Sequence, residues 1–258
     1  MGERRPILVH QMGKVGSRSV VDSLHASLPG GRIEHLHTVT PAGLAAAREA
    51  HERRDQPPPP HVEAGERVRR EILDAGEAAD VITLVREPVG RNVSAFFQNR
   101  VGRLRRASDA EVDALCERFI EDYPHTQPLQ WFRREFDDVY GMTMHQQPFD
   151  PARGSRVYEA ERFRVLLLRC ELADTEKSAA IAGFLGLPSM TWVRSNETSD
   201  KIQRDIYARF KQRLKMPEAV LDRFYVSQYS RHFYTAAEIE TFRAKWSGAA
   251  SSRPAVSG

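Results

Sequence analysis

Only two cysteines, Cys116 and Cys170, stand in 258 residues. They are too few for a disulfide framework and too far apart in sequence for a metal-binding spacing. A reduced, cytoplasmic setting is the expectation. No apolar run reaches the roughly 18 residues of a membrane span, and the short run Ile7–Val9 is not the apolar core of a signal peptide. The net charge of +3 is small. No basic stretch with interleaved aromatics appears, so no nucleic-acid partner is predicted. Metal-ligand clusters are also missing, and no metal is expected. Lysine is scarce: six of the 38 basic residues are lysines, and Lys14 is the only one before Lys177. The 41% hydrophobic and 28% charged fractions are those of an ordinary globular chain, long enough to bury a sizeable core.

The pattern along the chain alternates strands and helices. Ile7–Gln11 reads as a strand and Ser17–Leu28 as a helix, stopped by Pro29, Gly30 and Gly31. Arg32–Val39 alternates as a strand with Ile33, His35 and His37 on one face. Thr40 and Pro41 begin a helix over Ala42–Arg54. A four-proline loop at Asp55–Pro60 follows, then an amphipathic stretch at Glu63–Gly76. Val81–Val85 and Arg164–Arg169 are continuous apolar runs, as in strands buried on both faces of a parallel sheet. Helices are predicted from Pro88 to about Arg100 and over Asp109–Asp122, Gln127–Tyr140 and Thr175–Leu185. Thr143–Ser155 reads as loop with at most one short strand, and Lys201–Trp246 as helical segments rich in Tyr and Phe. The expected fold is α/β: a P-loop-like three-layer sandwich with a central parallel sheet flanked by helices and a helical C-terminal part. Residues 1–246 are expected to form one domain, and 247–258 a disordered tail.

The most informative stretch is Ile7–Leu28. A strand meets a glycine turn that opens straight into a helix. Glycines let a backbone approach a ligand, and the first helical N–H groups and the helix dipole favour an anion. Lys14, Ser17 and Ser19 add an ammonium and two hydroxyls. A Walker A loop needs its lysine after the last glycine, whereas Lys14 precedes Gly16. A dinucleotide fingerprint needs a third glycine that Gly13 and Gly16 do not supply.

The segment Gln11–Ser19 resembles the phosphosulfate loop of sulfotransferases that use 3′-phosphoadenosine 5′-phosphosulfate. The resemblance is nearest to the bacterial branch named for capsular polysaccharide synthesis. Leu84–Phe97 is similar to the same family's 3′-phosphate strand and helix, with Arg86 and Ser94 at the matching positions, about two helical turns apart. Weaker likeness continues through Leu168–Leu172, Ile181–Leu187 and the aromatic C-terminal segment. The resemblance implies that Lys14 contacts the leaving oxygen. It also implies that the loop Val15, Gly16, Ser17, Arg18 and Ser19 holds the 5′-phosphate, and that Arg86 and Ser94 hold the 3′-phosphate. Lys201, beyond Asn196–Asp200, would close over the donor as a basic loop does in the family. The two phosphate grips also fit on physical grounds. Both fall at the carboxyl edge of a parallel sheet, where ligands bind, and an arginine there can hold a phosphate bidentately.

An acceptor hydroxyl needs a general base, and a neutral histidine suits that role. His37 is the first choice, nearer the carboxyl edge of its strand, with His35 second and Glu34 a remote third. His10 is expected to pack against the loop. The implied reaction is sulfuryl transfer to a hydroxyl of a carbohydrate or other small-molecule acceptor. Two alternatives remain at this stage: a nucleotide-dependent kinase of related fold, and a nucleotide-binding module without catalysis. Phe96, Phe97, Trp131, Phe132, Tyr225 and Tyr229 are candidates to line a sugar or aryl pocket, although their helical spacing is more often that of core residues. Oligomeric state is not readable.

Overall fold

In the computed structural model of the protein, the described residues are 4–53, 55–98, 106–195 and 201–248, with the side chains of 201–203 left aside. The expected tail therefore lies outside the described residues, apart from its first two positions. The elements in chain order are β1 (Ile7–His10), α1 (Ser17–Ser27), β2 (Ile33–Leu36), α2 (Pro41–Glu52), α3 (Pro60–Val68) and β3 (Ala79–Val85). Then come α4 (Pro88–Phe96), α5 (Asp109–Asp122), α6 (Gln127–Glu135), α7 (Asp137–Tyr140), β4 (Ser155–Ala160), β5 (Phe163–Arg169) and α8 (Asp174–Leu185). The chain finishes with α9 (Lys201–Arg213), α10 (Glu218–Tyr225), α11 (Gln228–Phe233) and α12 (Ala236–Ser247). They fall into two compact units: Met1–Arg86 with Gln130–Glu197, and Glu87–Leu129 with Thr198–Gly258.

The first unit contains a five-stranded sheet in the order β2-β1-β3-β5-β4. Four strands are parallel, and β4 runs antiparallel to β5 along one edge. Every residue of β3 is buried, as the continuous apolar run requires of a central parallel strand. Helices flank the sheet: α1 packs on β1 and β2, α3 on β2, and α8 on β5. From β1 the chain runs outward to β2, then crosses back past β1 to β3. The carboxyl ends of β1 and β3 thus lie side by side at a switch in strand order, the place where open α/β sheets bind ligands.

Local chemistry explains several boundaries. Thr40 caps α2 by accepting from the Gly43 N–H, and Pro41 occupies the first helical position, where its missing N–H costs nothing. Ser108 and Glu111 form a capping box that begins α5 at Asp109. The predicted helix Gln127–Tyr140 is broken at Phe136, whose φ of −124° lies outside the helical range. The strand predicted over Arg32–Val39 ends at Leu36. There Glu135 takes over the backbone: its Oε2 accepts from Thr38 Oγ1 at 2.8 Å, the Val39 N–H at 3.1 Å and the Thr40 N–H at 3.3 Å. The edge strand β4 begins at Ser155, the last residue of the stretch read as loop with at most one short strand.

The second unit is helical. Its core gathers Val93, Phe96, Phe119, Phe210, Phe224 and Trp246. Ion pairs from Arg209 to Asp109 and from Arg213 to Asp113 tie α9 to α5 along their exposed sides.

Candidate anion site at the carboxyl edge of the sheet

The loop Gln11–Gly16 leaves β1 and enters α1 with two residues in the left-handed region: Lys14 at φ 75° and Gly16 at φ 82°. For lysine that conformation costs about 1–2 kcal/mol, and such strain concentrates where a loop must hold a set shape. Gly16 is the N-cap of α1 and makes no side-chain cap, and the first turn carries no acidic residue. The opening of α1 therefore presents backbone N–H groups with the positive end of the helix dipole.

The neighbouring strands complete the frame. Arg86, at the end of β3, donates from Nη1 to the Lys14 carbonyl at 2.9 Å, and so braces the strained residue. The Cys170 N–H, at the end of β5, donates to the Val85 carbonyl at 2.7 Å. A Cβ placed on Gly16 would lie 3.5 Å from Cys170 Sγ, so this thiol underlies the loop. Burial raises the Cys170 pKa and keeps the thiol protonated.

Both predicted histidines meet the loop. His35 Nε2 lies 2.9 Å from Ser17 Oγ and 3.1 Å from Gln11 Nε2. Burial first, then the Arg18 and His61 charges, lower its pKa, so the ring is neutral near pH 7. Its Nε2 ties Ser17 to Gln11. His37 lies just past β2. Its Nδ1 is 3.1 Å from the Gln11 carbonyl and 3.4 Å from Gln11 Nε2; the shorter contact is to an atom that can only accept, which puts the proton on Nδ1 and leaves Nε2 as the basic atom. A Cβ on Gly13 would stand 4.0 Å from that Nε2, so the basic atom faces the loop. The Trp131 indole donates to the His37 carbonyl at 3.3 Å and fixes the backbone behind the ring. His61, at the start of α3, has its ring 5.2 Å from that of His37.

The remaining predicted residues separate. Val15 is buried and Arg18 exposed. The Ser19 hydroxyl accepts the Ser195 N–H at 3.0 Å. His10 is wholly buried, 3.0 Å from Tyr140 Oη through Nδ1, and burial drives its pKa down to about 3. Ser94 is half-buried on α4 in the second unit. Lys201 is the first residue of α9, its side chain outside the described residues, as are Asn196–Asp200. In the second unit the N-terminus of α4 is closed. Glu87 accepts from the Val89 and Gly90 N–H groups at 2.8 and 2.7 Å. It also accepts from Tyr225 Oη at 2.6 Å and Trp246 Nε1 at 3.2 Å. Of the two helices that follow the motif strands, α1 is therefore the one that opens without a side-chain cap.

Gln11, Cys170 and Glu135 carry much of this geometry, and none stood out in the sequence as a site residue. Gln11 had one signal, a polar side chain between a buried strand and the glycine turn. Among the described residues no group of three or more His, Cys, Asp or Glu side chains is placed to hold a metal ion. No helix there is long and apolar enough to cross a membrane.

Comparison with known proteins locates the chain. Residues 109–235 match the model of a family described as "putative capsular polysaccharide synthesis protein". The matched stretch contains neither Gln11–Ser19 nor Leu84–Phe97. A solved sulfotransferase from Alicyclobacillus acidocaldarius is similar at 14% identity and a TM-score of 0.36, covering 92% of this chain and 99% of that one. No curated protein matches.

Proposed function

We propose that this chain, similar over residues 109–235 to the capsular polysaccharide synthesis family, is a sulfotransferase. It takes a sulfuryl group from 3′-phosphoadenosine 5′-phosphosulfate and passes it to a hydroxyl of a carbohydrate or other small acceptor. One observation carries the reading: α1 opens at left-handed Gly16 without a side-chain cap, in a loop that holds Lys14 and is braced by Arg86. This is an anion cradle built from backbone N–H groups, the helix dipole and two cations.

In the proposed reaction the acceptor oxygen attacks sulfur as the bond from sulfur to the bridging phosphate oxygen breaks. His37 Nε2 takes the acceptor proton, a contribution of about 10²–10⁴-fold for a placed base. Lys14 and the N–H groups of Val15–Ser19 meet the charge that grows on the leaving 5′-phosphate. As in phosphoryl transfer, positioning and charge stabilisation supply most of the acceleration. His35, already hydrogen-bonded to Ser17 and Gln11, serves to hold the loop.

Thermal shift with 3′-phosphoadenosine 5′-phosphate against ATP, ADP, GTP and NAD tests the ligand class. Selective stabilisation by the first is expected, and stabilisation by ATP with magnesium instead would refute the reading. A folded Lys14→Ala protein is expected to bind the product nucleotide yet lose turnover by two orders of magnitude or more. Unchanged turnover would remove Lys14 from the transfer step.

A further inference from the structure

The polar face of α1 is occupied by another part of the chain. The segment after α8 lies along it: the Val193 N–H donates to Ser23 Oγ at 2.7 Å, and the Ser195 N–H to Ser19 Oγ at 3.0 Å. The Ser195 hydroxyl donates to the Asp22 carboxylate. The far side of the segment is held equally well. Ser178 Oγ donates to the Met190 carbonyl, the Arg194 guanidinium pairs with Asp174 at 2.8 Å, and the Lys177 ammonium sits 5.1 Å from the centre of the Trp192 ring. Residues 190–195 thus form a strap from α8 to α1.

Ser19 belongs both to the strap and to the first turn of α1, where the anion is proposed to bind. A hydroxyl has one proton to give and two lone pairs to accept with. The Ser195 N–H fills one lone pair. Among the described residues the hydroxyl proton has only the Ser195 carbonyl at 3.4 Å, a long contact that a phosphate oxygen would readily replace. Once the proton is given to an anion, the oxygen becomes a better acceptor for the Ser195 N–H.

We propose that Asp22, Ser23 and Ser195 are positioning residues for the donor: they hold the strap against α1 so that the Ser19 hydroxyl points its proton at the 5′-phosphate. The proposal rests on the reading of the loop given above. Coupling between two sites is reciprocal, so the donor must tighten the strap as much as the strap tightens the donor.

Hydrogen exchange of the 190–195 segment, with and without 3′-phosphoadenosine 5′-phosphate, measures one direction. The Val193 and Ser195 amides should exchange several-fold more slowly with the nucleotide bound. Calorimetry measures the other. Ser195→Ala keeps its N–H but loses the bond to Asp22, and Ser23→Ala loses the bond to Val193. Each should weaken nucleotide binding about three- to tenfold, the range of one neutral hydrogen bond. Ser19→Ala should weaken binding and abolish the nucleotide's effect on exchange, which a merely structural serine would not do. If the wild-type chain binds the nucleotide and strap exchange does not change, the coupling is refuted. Unchanged affinity in folded Ser195→Ala, should Ser23→Ala fail to fold, refutes it equally. If the wild-type chain binds no nucleotide at all, the reading of the loop falls, and the coupling with it.

Discussion

Gly16→Ala separates the backbone's role in the proposed anion cradle from its role in stability. Gly16 sits at φ 82°, where a Cβ costs about 1–2 kcal/mol. The added methyl would meet only Cys170 Sγ at 3.5 Å, an ordinary contact, so sterics add little. For a chain of this size each kcal/mol lowers Tm by about 2–4 °C, which gives an expected fall of about 2–8 °C. If the loop relaxes out of the left-handed region instead, its N–H groups turn away from the anion. Hydrogen bonds to a charged group contribute about 1.5–3 kcal/mol each, so losing one weakens 3′-phosphoadenosine 5′-phosphate by about 10- to 150-fold. The assay pairs a thermal melt with calorimetric titration. Gly183→Ala is the control: its added Cβ meets nothing within 4 Å, and a helical alanine there should stabilise by about 0.5–1 kcal/mol. A Gly16→Ala protein that melts lower and binds as tightly has kept the left-handed turn, as the first outcome requires. One that both melts and binds as wild type does would refute the strain and the cradle together.

Other perturbations reach the supports of the site. Gly43→Ala should destabilise by about 3 kcal/mol or more in urea melts, because its Cβ would fall 2.0 Å from Glu135 Oε1 and 2.1 Å from Thr38 Oγ1; a loss below about 1 kcal/mol would show that Glu135 moves freely. Tyr225→Phe removes a donor from the buried Glu87 carboxylate, at a cost of about 1.5–3 kcal/mol, and a melt indistinguishable from wild type would count against that anchor. His10 has a folded pKa of about 3 against an ordinary 6.5. The unfolded chain therefore binds the extra proton, and stability present above pH 6.5 is lost as pH falls towards 3, at about 1.4 kcal/mol per unit. Between pH 7.5 and 5.0, His10→Gln should remove about 2 kcal/mol of the wild-type loss. The slope should flatten without vanishing, because burial also lowers the pKa of His35, His61 and His125; an unchanged slope would refute the assignment to His10.

The parts legible in the sequence were those set by local chemistry. The glycine turn after β1, the apolar run of β3 and the Thr40–Pro41 start of α2 each declare themselves within a few residues. What could not be read depended on distant partners. β2 stops at Leu36 because Glu135, almost a hundred positions away in the chain, takes the Thr38 hydroxyl and the next two N–H groups. β4 lies at the sheet edge with one buried residue, Tyr158, so it lacks the continuous apolar run that marks β3 and β5. The open end of α1 and the closed end of α4 look alike in sequence, since both follow a strand. Glu87 makes the difference, and its further donors come from Tyr225 and Trp246 near the other end of the chain. His37 was chosen for its place along the strand, whereas its standing as a candidate base rests on the Gln11 carbonyl that sets its tautomer.

The strap also bears on the order in which the molecule is made. Val193 and Ser23 are 170 positions apart, and Ser195 and Ser19 are 176 apart. Such distant contacts form late, after the entropy of closing a very long loop has been overcome. On the ribosome the glycine turn emerges early, but the residues that finish its helix emerge only after the sheet's last strand. The proposed anion cradle is thus among the last features to mature, and on this reading the nascent chain gains its ligand site only after the sheet that frames it has been synthesised.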